Sequence, residues 1–294
     1  MTYLKYLALA LIFLTSCHLC RSQVLYEISG NGLEQPSYIF GTHHLAPKSM
    51  LDSIPHLKEI MESRETLIGE LDLTGSQFDL VNSMQKYMLA PADSTLSRLY
   101  SPMEMDRLNE KFTALAPIPG INLYALDNMR PMAVNNLISV AVFQRTMPDY
   151  DPEFQIDRYL QEVAVSTGQS VLPLETPEEQ ARLLFTFQPL TVQAESLAEM
   201  LDNPDKVTHF TEQLNSAYLQ RDLQTLQEIS RQESTEREFV DALIDNRNRR
   251  WAPVIIKTIK NKPALIVCGA LHLPGDNGLL NLLTQEGYTI TPIY

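Results

Sequence analysis

The sequence predicts a mixed α/β (α+β) fold, a mixed β-sheet built from β/α units at the two ends of the chain and enclosed by a largely helical middle region. Three observations carry this expectation. Two short β-prone runs, Val24 to Ile28 and Ser37 to Phe40, open the chain around the turn residues Gly30-Asn31-Gly32. A continuous apolar run, Pro263 to Cys268, suits a buried strand near the other end. Between them, from about residue 76 to 250, apolar residues recur at helical spacing almost throughout.

Taken in order, the first two runs form a hairpin. Leu51, Ile54, Leu57, Ile60 and Met61 fall at helical spacing, and Thr66 to Leu73 reads as the next strand. Gln77 to Leu89, Met103 to Leu115 and Pro131 to Gln144 read as helices, the last capped by Asn128 or Asp127. A helix from Glu153 to Ser166 stops at Gly168 and leads into a strand, Ser170 to Leu174. Thr176-Pro177-Glu178-Glu179 has the cap, first-turn proline and third-position glutamate of a helix start. Residues 192 to 250 form amphipathic helices, and a helix Asp276 to Glu286 and a strand Tyr288 to Ile293 complete the chain.

The chain has 294 residues, 44% hydrophobic and 20% charged, which suits one globular domain over residues 23–294 with its helical middle at about 76–250. Residues 1–22 read as an export signal, with Lys5 ahead of an apolar stretch Leu7 to Leu14 that is too short to span a membrane. Two cleavage sites compete. Leu14-Thr15-Ser16-Cys17 has the order of a lipobox, which would make the protein a lipoprotein acylated at Cys17, and Cys20-Arg21-Ser22 before Gln23 has the form of an ordinary site. The expected location is therefore outside the cytoplasm: periplasmic, anchored to the outer membrane by lipid, or secreted. Only Cys268, and Cys20 in one version, remains after processing, so no disulfide framework is expected. The formal charge of −13 argues against nucleic acid and anionic lipid as partners, which leaves a lipid anchor as the one membrane contact.

The chemistry is concentrated in a motif that occurs twice. Gly41-Thr42-His43-His44-Leu45 and Gly269-Ala270-Leu271-His272-Leu273 each follow a strand, which puts a histidine on a loop at the carboxyl edge of a sheet. A glycine there lets the backbone turn or pass close to a ligand. Two imidazoles in equivalent contexts suggest one shared divalent-metal site, with His44 the counterpart of His272 and His43 an ambiguous neighbour. Glu70 and Asp72 share one face of the expected strand, and acids in an apolar run need a partner. Glu70 is read as a ligand or as the base that activates a metal-bound water, with Asp72 in support. Two histidines and a carboxylate serve hydrolytic zinc or manganese and also non-haem iron. Arg247-Asn248-Arg249-Arg250 is placed near a helix end, where it either complements the C-terminal dipole or supplies an arginine that meets a substrate carbonyl or carboxylate. The sequence has no Gly-x-Ser-x-Gly elbow, His-Glu-x-x-His helix, phosphate loop or dinucleotide turn.

Together, Gly-Thr-x-His after a hairpin, an acid at the end of the next strand, and Gly269 to Tyr288 with its spaced Gly275, Gly278, Leu279 and Gly287 resemble the TraB/PrgY/GumN family, which includes the Tiki metalloproteases. Leu174-Glu175-Thr176 with Glu179-Gln180, and the pair Arg247-Asn248, look like that family's further motifs. Gln155 stands where the family often has glycine before the pair matched here by Ile156-Asp157, and Asp157 receives no role. The resemblance implies His44, His272 and Glu70 as divalent-metal residues and, for Tiki members, metal-dependent peptide cleavage. The expectation is thus an exported metal-dependent hydrolase of peptides or proteins using manganese, zinc or cobalt. Gly41, Gly269, Asn248, Glu175, His43 and Asp72 support its site. The competing expectation is a cell-envelope protein that binds haem, metal or peptide without turnover.

Overall fold

The computed structural model describes residues 23–232 and 237–294. Residues 1–22, read above as an export signal, lie outside the described residues together with Cys17 and Cys20. Strands Leu25–Ser29 (β1) and Ser37–Thr42 (β2) form the expected antiparallel hairpin, and Gly30, Asn31 and Gly32 all turn through positive φ. Two short helices follow, Lys48–Asp52 (α1) and Leu57–Ser63 (α2). The single helix expected from the apolar spacing is broken here because Pro55 has no N–H and disfavours helical geometry at Ile54, and His56 then takes a left-handed φ of 59°.

Thr66–Gly69 (β3) is shorter than expected. Gly69 pairs with Val267 on one side and Pro173 on the other, and beyond it the chain leaves the ladder while the first neighbour runs on to Gly269 and the N–H groups of Leu174 and Glu175 bond the Glu70 carbonyl. The middle helices are Gln77–Met88 (α3), Leu96–Leu99 (α4), Pro102–Leu115 (α5), Pro131–Thr146 (α6) and Ile156–Ser166 (α7). Pro131 begins α6 without a side-chain cap, and Asp127 instead accepts the Ser97 N–H at the start of α4. Ser170–Pro173 (β4) precedes Pro177–Thr186 (α8), which has the expected capping box of Thr176 and Glu179. Then come Leu190–Asp202 (α9), Pro204–Leu219 (α10), Leu223–Gln232 (α11), Arg237–Leu243 (α12), Asp245–Ile259 (α13), Ala264–Gly269 (β5), Leu279–Gln285 (α14) and Thr289–Pro292 (β6).

The sheet has six strands in the order β4-β3-β5-β2-β1-β6. β4, β3, β5 and β2 run parallel, and β1 lies antiparallel between β2 and the edge strand β6, which therefore runs in the same direction as the other four. Ala264 to Cys268 are at most 1% exposed, so successive side chains are covered on both faces, by helices including α7, α13 and α14. Helices α4, α5, α6 and α9 enclose a second apolar core around Phe112, Ile138 and Leu197. Among the described residues no helix is long and apolar enough to cross a membrane.

Register decides where the chemistry falls. Gly41 lies opposite Cys268 and Thr42 opposite Gly269, while Gly69 lies opposite Val267, so β2 and β5 end together and β3 ends two residues before them at the same edge. A Cβ on Gly41 would stand 2.7 Å from a Leu273 methyl and 2.9 Å from the Ala270 Cα, which is why the first loop needs glycine to pass the second.

Candidate active site

At this shared edge His44 follows β2, Glu70 follows β3 and His272 ends the 3-10 turn after β5. His44 Nδ1 lies 2.6 Å from Asp157 Oδ2, and Thr42 Oγ1 donates to the other oxygen of the same carboxylate at 2.8 Å. Asp157 raises the His44 pKa to about 9, although 57% of the His44 side chain is open to the cleft. His272 is 3% exposed, and burial lowers its pKa to about 3, so it is neutral. Its Nδ1 donates to Asn248 Oδ1 at 2.7 Å, because the Asn248 amide nitrogen already donates to the carbonyls of His272 and Asn277. That leaves Nε2 as the lone-pair nitrogen. The Trp251 ring backs the imidazole at 4.5 Å between centroids.

Glu70 is the anion that both histidines face. Oε1 accepts the Gly269 N–H at 2.7 Å and lies 3.9 Å from His272 Nε2, while Oε2 accepts from Arg247 Nη2 and, at 3.4 Å, from Gln180. Burial pushes its pKa up, but the facing His272, Arg247, His44 and Gly269 N–H outweigh burial and hold it at about 2. A carboxylate so far below neutrality is a weak base and a strong anionic partner. Arg247 also bonds Glu175 Oε1 at 2.5 Å, reaches His272 Nε2 at 3.1 Å and lies over Trp251 at 4.4 Å. Burial raises the Glu175 pKa, with Arg247 opposing.

The sequence expectations are sorted by this geometry. His44, Glu70, His272, Arg247, Asn248, Glu175, Gly41 and Gly269 come together. The arginine run is not at a helix C-terminus: Arg247 lies in the first turn of α13, against the dipole, and two buried carboxylates hold it there. Asp72 does not support Glu70. It is exposed and its Oδ1 is spent on the N–H and hydroxyl of Thr74, because the strand that would have aligned the two acids stops at Gly69. His43 lines the cleft, but its ring packs on Phe143 and Tyr218 and burial lowers its pKa to about 4.

Sequence reasoning missed Asp157 and Gln161. Gln161 ties the segment after Glu70 in place, accepting the Leu73 N–H at 2.7 Å and donating to the Leu71 carbonyl at 2.8 Å. Their signal was present: Asp157, Gln161 and Ala164 fall at one-turn spacing beside Ile156 and Leu160, on the buried stripe of an amphipathic helix. If Asp157 charges the His44 ring, Asp157→Asn should lower the His44 pKa by at least about one pH unit. An imidazole NMR titration checks this, and an unchanged curve would discount the pair.

These groups open into a cavity of about 670 Å³. Its wall is mainly apolar, with Leu80 and Met84 of α3, Phe143 of α6, Leu184 of α8 and Leu243 of α12 facing the polar sheet edge. In kind, the donors fit a divalent ion. Each histidine has Nδ1 fixed by a side-chain oxygen, the support common behind metal-ligating imidazoles, and Glu70 adds the negative charge. Among the described residues no group of three or more His, Cys, Asp or Glu side chains is placed to hold an ion as it stands. Arg247 donates to both Glu70 Oε2 and His272 Nε2, so an ion on that nitrogen would take the place of one of its hydrogen bonds.

A cleft at the carboxyl edge of a largely parallel sheet, with two supported histidines and a buried, arginine-held glutamate, defines an α/β protein with a catalytic-type polar site. The chain belongs to the TraB/PrgY/gumN family, which its sequence matches over residues 24–292. It is 23% identical to a protein named Metalloprotease TIKI homolog from Amphimedon queenslandica and 25% identical to Metalloprotease TIKI2 from Danio rerio, in each case over 87% of this chain. It spans only 59% and 58% of those two relatives. No solved structure matches.

Proposed function

We propose that this chain is a metal-dependent hydrolase of peptide bonds that works outside the cytoplasm, with the leader at residues 1–22 directing its export. The observation that carries the reading is the pair of histidines, each fixed through Nδ1, which line one large cleft together with a buried carboxylate. His44 and His272 would hold manganese, zinc or cobalt through Nε2, with Glu70 as the anionic ligand. A bound divalent ion supplies an acidified water and polarises a carbonyl. Asp157 and Asn248 keep the rings aimed, and the apolar wall limits water around the substrate. Arg247, which bonds Glu70, Glu175, His272 and the Leu243 carbonyl, would offer its guanidinium to the charge that grows on the attacked carbonyl oxygen. The relatives' names support the hydrolytic reading over a carrier without turnover.

Ligand identity is testable without a substrate. Metal that binds only the folded protein adds about 2.7 kcal/mol at a hundredfold excess over its dissociation constant, a rise of a few degrees in Tm for a chain of this length. His44→Ala and His272→Ala should each abolish the rise, and His43→Ala and His56→Ala should keep it. A rise that persists in both of the first two variants would remove the site. His44 must lose its proton to ligate, and its pKa is raised, so affinity should increase with pH up to about 9.

A further inference from the structure

His43 lies in the loop after β2, and the chemistry proposed above leaves it without a task. Its ring is nonetheless held firmly. Phe143 of α6 meets it edge-on at 5.0 Å between centroids, and Tyr218 of α10 lies at 5.4 Å. Tyr218 is itself tied down, since it is fully buried and its hydroxyl donates to the Gly41 carbonyl at 3.2 Å. On the loop side the Leu45 N–H donates to His43 Nδ1 at 3.2 Å, inside a turn that the Ala46 N–H closes onto the His43 carbonyl at 2.8 Å.

The Leu45 contact fixes the tautomer. A ring nitrogen that accepts a hydrogen bond carries a lone pair and no proton, so the proton of this imidazole sits on Nε2. Among the described residues nothing accepts it. Nε2 is also absent from the buried side-chain nitrogens and oxygens that lack a partner, so it keeps accessible surface. His43 lines the first cavity, together with Phe143 and Tyr218, and that is where its free donor meets open space. The cavity has a use for one. An extended peptide laid against its mainly apolar wall loses the water on its carbonyls, and aliphatic side chains return no hydrogen bond. A donor already positioned by its neighbours restores one with little further loss of side-chain freedom.

We propose that His43 Nε2–H is a substrate-binding donor that takes a backbone carbonyl of a peptide lying in the first cavity. Its ring leans on α6 and α10 and not on the cluster of Glu70 and Arg247, so the carbonyl it takes is one beside the reacting bond. The proposal rests on the peptide-hydrolase reading for its substrate, but the hydrogen bond can be measured without turnover. The probe is the tightest-binding member of a mixed nonapeptide library, labelled with fluorescein and made with each backbone carbonyl in turn replaced by a thioamide, whose sulfur is the weaker acceptor. Binding is read by fluorescence anisotropy in chelator. At one position the thioamide should weaken binding to the wild type by about threefold to tenfold, the worth of one hydrogen bond. His43→Phe keeps a ring against Phe143 and Tyr218 but has no donor. It should bind the parent peptide more weakly by the same factor, and the thioamide at that position should then cost nothing further. His43→Gln, whose amide nitrogen reaches the place of Nε2, should recover part of the loss, whereas a packing role would make phenylalanine the better substitute. With metal added, His43→Phe should raise KM by the same factor and leave kcat nearly unchanged.

A thioamide effect that survives in His43→Phe, or none at any position, overturns the inference. So does loss of the metal-induced rise in Tm in His43→Phe, which would make His43 a ligand. Library cleavage without the thioamide coupling removes this role and leaves the hydrolase. Coupling without cleavage under manganese, zinc or cobalt keeps the role and removes the hydrolase, and a library of which no member is bound or cut removes both.

Discussion

Arg247→Ala should destabilise the protein by about 3–5 kcal/mol, the cost of removing one member of a buried ionic cluster. Arg247, Glu70 and Glu175 are 6%, 9% and 6% exposed, and the guanidinium is the cation that both carboxylates share. A urea titration at pH 7 measures the loss. Its pH dependence identifies the cause. Glu70 is held at about 2 against an ordinary value of 4.5, so its stabilising contribution is complete above pH 4.5 and disappears as the pH falls through 2. Without Arg247 both carboxylates protonate more readily, and the gap between wild type and variant should narrow as the pH falls from 7 toward 5. Arg247→Met combined with Glu70→Gln and Glu175→Gln should recover part of the loss, since no buried charge is then left alone. A loss below about 1 kcal/mol, or one that is constant with pH, would mean that the guanidinium does not carry these acids.

Glu70→Gln should lower turnover by at least about 10²-fold while the fold survives. The amide keeps the shape of the side chain and an acceptor for the Gly269 N–H, and Arg247 retains Glu175, but the charge that both histidines face is gone. The pKa of about 2 makes Glu70 more useful as an anionic ligand than as a base, so metal affinity should fall together with turnover. Library digestion and metal-dependent melting on the same preparation test this. Full cleavage by the variant, or lost cleavage with the metal response intact, would each assign Glu70 a different role.

The legibility of the fold followed the kind of signal each element sends. Ala264–Gly269 and the opening hairpin were readable because a buried strand must be apolar along its length and a two-sided turn needs glycine and asparagine. α8 was readable from its cap, since Thr176, Pro177 and Glu179 act within one turn. Element ends were less so. β3 stopped four residues before the expected Leu73, where the chain leaves its pairing with β4 and β5, and no residue of β3 encodes that point.

The site divides in the same way. The sequence by itself determined the mixed α/β class, both Gly-x-x-His loops, the acid after β3 and the membership implied by their order, since each is a local pattern of residue types. Only the tertiary structure decided that Asp157 holds His44, that Asp72 faces water, and that Arg247 lies among Glu70, Glu175 and His272 and not at a helix C-terminus. Those contacts join residues 72 to 177 positions apart as well as near neighbours. They depend on strand register and helix docking, which are settled when the whole core packs and which no local spacing specifies.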